Sequence, residues 1–317
     1  ENVAKFRANM QISFLNRLTL RQITVFLAVC QHRSYSRAAE HLALTQPAVS
    51  AQIRSLEELV GQALFDYIGR QLFLTSAGEL MLRAARELQQ RLVHLEIELT
   101  DLHGQLQGRL NIAVETSAER LMGQKLQHFC QHHPGVDMAV HVGNHDDLLS
   151  RLRDNLDDLA VMTKVPSDQS LQYTPFAEHT LEVVIDRNHP LCTQTDLRLQ
   201  DLLSYPMLLR EPGSGTRQIT DEYCRQNSVV IPRYQQLGSN RLICHALPGS
   251  ENWSVLPTDI IRDSGFAQQL STLNVHGFPI RRSWCSVYPR AKHLNPLSKA
   301  FLDTLHTPIR GAPRDTG

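Results

Sequence analysis

The segment from residue 36 to residue 50 predicts two short helices joined by a tight turn, and it constrains the fold more than any other part of the chain. Ser36 is suited to cap the first helix, because its hydroxyl can accept a backbone N–H bond. Ala38, Ala39 and Leu42 recur at helical spacing, and the two small alanines allow a second helix to approach closely. The segment therefore predicts the first half of a helical hairpin.

The second helix is predicted to begin after Thr45, the next N-cap, and to continue to Glu57. Pro47 lies in its first turn, where proline removes no helical hydrogen bond. Apolar side chains fall on one face of this helix, and polar or basic side chains fall on the others. The inward residues are Val49, Ile53 and Leu56, and the outward residues are Gln46, Ser50, Gln52 and Arg54.

The outer face of this second helix suits DNA, because short polar and basic side chains can reach base edges and phosphates. The residues expected at base edges are Gln46, Pro47, Ser50 and Gln52. Those expected at phosphates are Arg37, Arg54 and Arg70, and Ser36 and Thr45 complete the predicted DNA-binding set. The alternative for this segment alone is an ordinary alanine-rich helical hairpin.

Two short apolar stretches follow Gly61, which is predicted to end the second helix. Residues 64–67 and 71–75 flank Ile68, Gly69 and Arg70, and they predict a β-hairpin with a basic tip. Such a wing can contact the sugar-phosphate backbone of DNA.

A long helix is predicted from Thr75 to about His103. An apolar stripe runs along it and charged side chains cover the rest, a pattern that favours a dimerising linker helix over the alternative, a core helix of a large domain. The stripe comprises Leu80, Leu82, Ala84, Ala85, Leu88, Leu92, Leu95 and Leu99.

Residues from about Leu18 to Gln107 resemble the winged helix-turn-helix and linker helix of a LysR-type transcriptional regulator. The resemblance rests on four ordered motifs, which are Ser-x-Ala-Ala-x-x-Leu at 36–42, Thr-Gln-Pro-Ala-Val-Ser at 45–50, Gly-x-x-Leu-Phe at 61–65 and Leu-Thr-x-Ala-Gly at 74–78. It extends over nearly the whole chain after residue 16. It implies a homotetramer, a dimer of dimers that binds double-stranded operator DNA, senses a small-molecule effector and changes access of RNA polymerase.

The charge of the chain is balanced, with 32 basic and 32 acidic residues, so no global basic field attracts nucleic acid. Residues 17–75 carry six arginines against four acidic residues. We therefore expect weak nonspecific DNA affinity from one module, so that two or more must act together. The length of 317 residues allows two or three domains with their own cores.

The sequence predicts a cytoplasmic protein with no membrane partner. No apolar run reaches the ~20 residues that a membrane helix requires, and the N-terminus lacks the residue order of a signal peptide. The six cysteines are scattered without a Cys-x-x-Cys pair, as expected for reduced thiols. Residues 1–16 form an extension outside the winged pattern, and the sequence leaves the origin of this extension open.

The second half of the chain changes to alternating strands and helices after residues 104–108, a pattern typical of α/β structure. The expected fold class is an α+β winged helix-turn-helix with a long linker helix, followed by a two-lobed α/β effector domain. That domain resembles the type 2 periplasmic-binding-protein fold of LysR-type regulators. The expected domains are residues 1–16 (extension), 17–75 (winged DNA-binding domain), 76–107 (linker helix) and 108–310 (effector domain).

The lobes of the effector domain are predicted to be joined by two crossovers. Lobe one takes residues 108–180 and 287–310, with strands at 110–114, 136–142 and 159–162. Lobe two takes residues 181–286, with strands at 181–185, 207–209, 234–237 and 253–256, and residues 284–288 form the return strand. Thr116 and Ser117 are expected to cap the first helix of lobe one.

A ligand site is predicted where the strands of the two lobes end. Ligands of α/β sheets bind beyond the carboxyl ends of strands, near helix N-termini. The loop from Arg210 to Arg217 carries glycines, hydroxyls and arginines that suit a carboxylate, sulfate or phosphate, although most Gly/Ser loops are only turns. The predicted effector-binding residues are Thr116, Ser117, Asn144, Thr163, Arg210, Gly213, Ser214, Gly215 and Thr216.

Three further features bear on the effector. Glu115 would repel an anion unless it turns aside or pairs with an arginine. Pro248 and Trp253 depart from the run of small residues usual in the family and are expected to narrow the cleft. The 210–217 loop and residues 162–176 are most similar to the subfamily that controls Calvin-cycle (RuBisCO) operons, which implies a phosphorylated or reduced metabolite as effector.

Other functional classes have weaker support. A cluster of histidines and one cysteine raises the alternative of a metal site; its members are His128, Cys130, His132, His133, His141 and His145. The sequence has no tight Cys/His quartet, so a solvated face is favoured. No cofactor is expected. An enzyme could share the two-lobed fold, yet the chain has no Gly-x-Ser-x-Gly elbow and no His-Glu-x-x-His motif. A solute-binding protein would not need the winged module. We therefore expect a regulator that is not an enzyme.

Overall fold

The computed structural model describes residues 16–69, 71–102, 106–163, 169–263 and 265–307. The chain divides into two compact units, Glu1–Leu95 and Glu96–Gly317. The division falls inside the long helix that was predicted from Thr75 to about His103, because the two ends of that helix contribute to different cores. Among the described helices, none combines the length and apolar composition that crossing a bilayer requires.

The N-terminal unit is a helical hairpin with a third helix and a wing. Its elements are α1 (Leu20–His32), α2 (Tyr35–His41), α3 (Gln46–Val60), β1 (Phe65–Ile68), β2 (Gln71–Leu74) and the first part of α4 (Ser76–Asp101). Phe26, Val49, Ile53 and Leu56 are fully buried in its core together with Ala38 of α2. The predicted inward face of α3 is therefore confirmed.

The predicted helix caps of the N-terminal unit are observed with one exception. Thr45 caps α3 by accepting from the Ala48 backbone N–H, and Gly61 ends that helix in the left-handed conformation, as predicted. The prediction that Ser36 caps α2 is wrong, because Ser34 accepts from the Arg37 N–H and Ser36 lies inside the first turn.

The wing is a short antiparallel hairpin in which Phe65 pairs with Leu74 and Ile68 pairs with Gln71. Ile68 was predicted in the turn but belongs to β1. Arg70, predicted at the wing tip, lies outside the described residues.

The apolar stripe of α4 divides into buried and exposed parts. Leu82 and Ala85 are buried in the winged core, whereas Ile97 belongs to the core of the C-terminal unit. The exposed side chains in the stripe are Leu80, Leu88, Leu92, Leu95 and Leu99. These leucines form an exposed apolar surface along α4.

The C-terminal unit is built on one mixed sheet flanked by helices. Its strands are β3 (Gly108–Glu115), β4 (Val136–Gly143), β5 (Leu159–Thr163), β6 (Leu171–Asp186), β7 (Met207–Arg210), β8 (Tyr234–Leu237), β9 (Trp253–Pro257), β10 (Leu270–Leu273) and β11 (Ile280–Pro289). Its α-helices are α5 (Glu119–His132), α6 (His145–Arg153), α7 (Gly215–Gln226), α8 (Asn240–Ala246), α9 (Thr258–Asp263) and α10 (Pro296–His306). The strand order is β4-β3-β5-β11-β6-β9-β7-β8, and β10 pairs with β6.

Two long antiparallel strands connect the lobes. Strand β6 was predicted only at 181–185 but begins at Leu171. The prediction missed its first half, because that half mixes polar and apolar residues, contains Pro175 and lacks a continuous apolar run. It pairs with β11 along the whole length of β11, with a register shift between Trp284 and Cys285. Trp284 also pairs with Thr163 of β5, so β11 joins lobe one three residues before the predicted boundary at 287.

Candidate DNA-binding surface and effector cleft

The surface of α3 carries all four of the residues predicted at base edges. Gln46, Pro47 and Arg54 are exposed, and Ser50 and Gln52 are partly exposed. The Gln46 Nε2 donates to Ser50 Oγ at 2.9 Å, which holds these two side chains together on one face. Amide and hydroxyl groups on one helix face can bond to base edges in a major groove.

The described residues predicted at phosphates are exposed near this face of α3. Arg37 is exposed on the first turn of α2, beside Ser36, and Thr45 is exposed at the start of α3. The Thr45 hydroxyl already accepts the Ala48 N–H as the N-cap of α3. A DNA contact by this hydroxyl must therefore be made in addition to the cap.

The candidate effector cleft lies where strands of the two lobes end. In lobe one, β3 ends at Glu115 and β5 ends at Thr163; in lobe two, β7 ends at Arg210 and leads into α7. The first turn of α7 is buried, which places its free backbone N–H groups between the lobes rather than in solvent.

A cluster of three polar side chains joins the lobes at this turn. Ser117 Oγ lies 3.5 Å from Thr216 Oγ1, and Asn240 Nδ2 donates to Ser117 Oγ at 3.0 Å and contacts Thr216 Oγ1 at 3.4 Å. Ser117 and Thr216 were predicted, whereas Asn240 was not. Its only sequence signal is Ser239, which caps a short helix directly after β8.

A second bridge lies beside the first. The Asp146 backbone N–H donates to the Gly213 carbonyl at 3.2 Å, and Gln218 Nε2 donates to Asp146 Oδ1 at 3.1 Å. Gly213 has a φ of +87° and faces the Asp146 carboxylate. The cleft is thus closed by direct contacts.

Two predicted effector residues have structural tasks of their own. Thr116 and Ser117 do not cap α5, because residues 116–118 form a 3₁₀ turn before that helix. The Thr116 hydroxyl donates instead to the Gly143 carbonyl at 2.9 Å. Asn144 caps α6 by accepting from the Asp147 N–H.

Glu115 is buried at the base of the cleft and pairs with a histidine rather than an arginine. Its Oε2 contacts His145 Nδ1 at 3.3 Å and accepts from the Thr163 N–H at 3.1 Å and the Thr163 hydroxyl at 3.4 Å. Burial acts to raise the pKa of Glu115, but the hydrogen bonds from His145 and Thr163 outweigh it, so the pKa lies below its usual value.

The arginines of the 210–217 loop are also paired. Arg210 is buried and makes a bidentate ion pair with Glu211, at 2.8 and 2.9 Å. Its third nitrogen, Nη1, is buried without a partner among the described residues. Arg217 bonds to Asp221 and to the Arg210 carbonyl, and its guanidinium lies over the Tyr234 ring.

Two expectations about side chains near the cleft are corrected. Trp253 does not narrow the cleft, because it is fully buried in the core of lobe two and donates to the Tyr205 carbonyl. The interpretation as a solvated face is wrong for His145, which is fully buried and is engaged by Glu115. No group of three metal-ligating side chains occurs within the described ranges.

Comparisons with known proteins agree with this architecture. The profile of the bacterial regulatory helix-turn-helix protein, lysR family, matches residues 20–79, and that of the LysR substrate binding domain matches residues 103–308. The chain is 38% identical to a RuBisCO operon transcriptional regulator of Acidithiobacillus ferrooxidans, over 92% of this chain and 94% of that one. It is 34% identical to the HTH-type transcriptional activator CmpR of Synechocystis, over 92% of this chain and 96% of that one.

Solved structures show the same two parts. The regulatory domain of Synechocystis CcmR in complex with 2-PG is 33% identical, has a TM-score of 0.59 and covers 63% of this chain and 96% of its own. Full-length CbnR complexed with its target DNA has a TM-score of 0.63 at 17% identity, covers 91% of this chain and 99% of its own, and shows the fold. The predicted resemblance to RuBisCO operon regulators is confirmed, and the chain belongs to the LysR family of bacterial transcriptional regulators.

Proposed function

We propose that this regulator controls a RuBisCO operon and that a small phosphorylated acid is bound between its lobes as effector. The relatives that cover the chain support the operon, and the CcmR domain bound to 2-phosphoglycolate supports the ligand class. The observation that carries the proposal is the cluster of Ser117, Thr216 and Asn240 at the buried first turn of α7. Backbone N–H groups and hydroxyls at a helix N-terminus suit a phosphate or carboxylate.

We propose a dimer of dimers as the working form, acting in the cytoplasm on operator DNA and, through it, on RNA polymerase. The exposed leucines of α4 support pairing of two winged modules, so that each pair reads two half-sites. Effector binding then changes the separation of the lobes. By linkage, the effector can change operator affinity only to the extent that it binds one arrangement of the lobes more tightly than the other. In this scheme the two-lobed unit binds and does not catalyse.

Thr216→Val is expected to weaken 2-phosphoglycolate binding by about tenfold, because a hydroxyl at the ligand site is lost while the side-chain shape is kept. The matched control is Thr220→Val, one turn along the same helix, whose buried hydroxyl bonds to the Thr216 carbonyl instead. Titration calorimetry on the full chain measures both. Equal affinity in the two variants would place the ligand elsewhere.

Gln46→Ala is expected to lower operator affinity by ~1–3 kcal/mol and to relax sequence preference at one position, because a base contact is removed. Gln62→Ala removes the same amide at an exposed position beyond α3 and should leave binding unchanged. Gel-shift titrations with operator and unrelated DNA measure the two effects separately. If Gln46→Ala weakened both DNAs alike, Gln46 would be a backbone contact.

A further inference from the structure

We propose that Asn240 selects the effector by a hydroxyl group, so that the preferred ligand is a phosphorylated hydroxy acid rather than a phosphorylated acid without a free hydroxyl. The inference rests on the effector site proposed above and narrows its ligand class. It depends on a buried polar atom of Asn240 that has no partner among the described residues.

The side chain of Asn240 lies between the two lobes. Asn240 is the first residue of α8 and is 2% exposed. Its Nδ2 donates to Ser117 Oγ of lobe one at 3.0 Å and contacts Thr216 Oγ1 of lobe two at 3.4 Å. The amide nitrogen is therefore engaged by hydroxyls from both lobes, at the first turn of α7.

The other end of this amide, Oδ1, is buried and has no hydrogen-bond partner within the described part of the chain. The two ends of an amide are joined through a single carbon atom, so Oδ1 lies beside the same turn as Nδ2. A buried polar side chain with one unsatisfied end at a proposed ligand site marks a contact that the ligand can complete.

The unsatisfied atom states which kind of group it requires. An amide oxygen is only an acceptor, so it is satisfied only by a donor. A buried acceptor without a donor is costly, and a ligand that supplies the donor removes this cost. A carboxylate or a fully ionised phosphate cannot do so, because its oxygens are acceptors as well. A hydroxyl group can donate to Oδ1 and adds no charge to the ligand.

The position of Oδ1 also fixes where the hydroxyl must be on the ligand. The Ser117 and Thr216 hydroxyls and the backbone N–H groups of the α7 turn suit an anionic group. Because Oδ1 belongs to the amide that contacts these hydroxyls, the donor must be attached close to that anionic group. A hydroxyl on the carbon next to a carboxylate meets this requirement. The ligand class is therefore a phosphorylated 2-hydroxy acid.

The test is titration calorimetry of the full chain at about pH 8 with 3-phosphoglycerate and its deoxy analogue, 3-(phosphonooxy)propanoate. The two acids have the same chain length and the same ionised groups, and they differ only in the hydroxyl next to the carboxylate. At this pH the phosphate has lost its second proton and has no O–H group to donate. We expect the wild type to bind the hydroxy acid about tenfold more tightly.

Asn240→Leu removes the amide oxygen and nearly keeps the size of the side chain, so the preference should fall to less than about twofold. Asn227→Leu is the matched control, because Asn227 is exposed at the other end of α7 and donates to the Tyr223 carbonyl. It should keep the wild-type preference. Ser117→Ala removes a neighbouring hydroxyl but keeps the Asn240 oxygen, so both acids should weaken alike.

The outcomes separate the two proposals. If neither of these acids nor 2-phosphoglycolate binds to the wild type, the proposed effector site and this inference are both wrong. If 2-phosphoglycolate binds but the hydroxy acid has no advantage over its deoxy analogue, the role of Asn240 is wrong and the site stands. The same follows if Asn240→Leu keeps the preference. The wild-type comparison needs no variant, so it decides the inference even if Asn240→Leu does not fold.

Discussion

Replacing both Leu88 and Leu92 with glutamate is expected to abolish operator binding, with a loss of affinity of about 100-fold or more. Both leucines are about half exposed on α4, in a stripe that continues to Leu95 and Leu99. Pairing of two such helices would bury these side chains, and glutamates there would carry unpaired charge into the seam. A module that binds one half-site alone loses the gain that comes from linked binding.

The measurement is a gel-shift titration with the operator, combined with sedimentation to follow the oligomeric state. Gln89→Glu is the matched control, because it adds a negative charge at an exposed position of the same helix outside the apolar stripe. Far-UV circular dichroism should show that both units remain folded in the double variant. A tightly bound monomer would contradict the proposed seam.

Gly78→Ala is expected to destabilise the N-terminal unit by about 3 kcal/mol or more, and operator binding should be lost with the fold. A Cβ atom at this position would lie 2.1 Å from the backbone oxygen of Leu64. That oxygen is fixed, because it also accepts from the Thr75 N–H at 3.0 Å. The close approach of α4 to the start of the wing therefore depends on this glycine.

Gly123→Ala is the control for the glycine change, since an added Cβ there meets no atom within 4 Å. It lies in α5, so the substitution should raise helix stability by ~0.5–1 kcal/mol. Denaturant unfolding of both variants gives the comparison. A Gly78→Ala protein with wild-type unfolding would show that the wing can move away from α4.

The sequence alone determined the N-terminal unit almost completely. The signals are local: Thr45 and Pro47 open a helix, Gly61 closes it, and Val49, Ile53 and Leu56 repeat on one face. Each depends on residues a few positions apart, where backbone hydrogen bonding leaves few choices.

The exception at the start of α2 has a tertiary cause. Ser34 and Ser36 are equivalent caps by local chemistry, but Tyr35 packs against Phe65 of the wing, with ring centroids 6.0 Å apart, and this contact favours a helix that starts at Tyr35. Strand β6 was underestimated for a related reason. Its first half is held by pairing with the distant β11, and its own sequence gives no continuous apolar run.

The effector cleft shows where sequence information ends. The 210–217 loop and the hydroxyls of Ser117 and Thr216 could be predicted, because glycines and hydroxyls at a strand end have a local signature. Asn240 lies 123 residues from Ser117, and Glu115 lies 30 from His145, so only the folded chain brings them together. Sequence determined which elements form, whereas burial between the lobes decided which polar side chains meet.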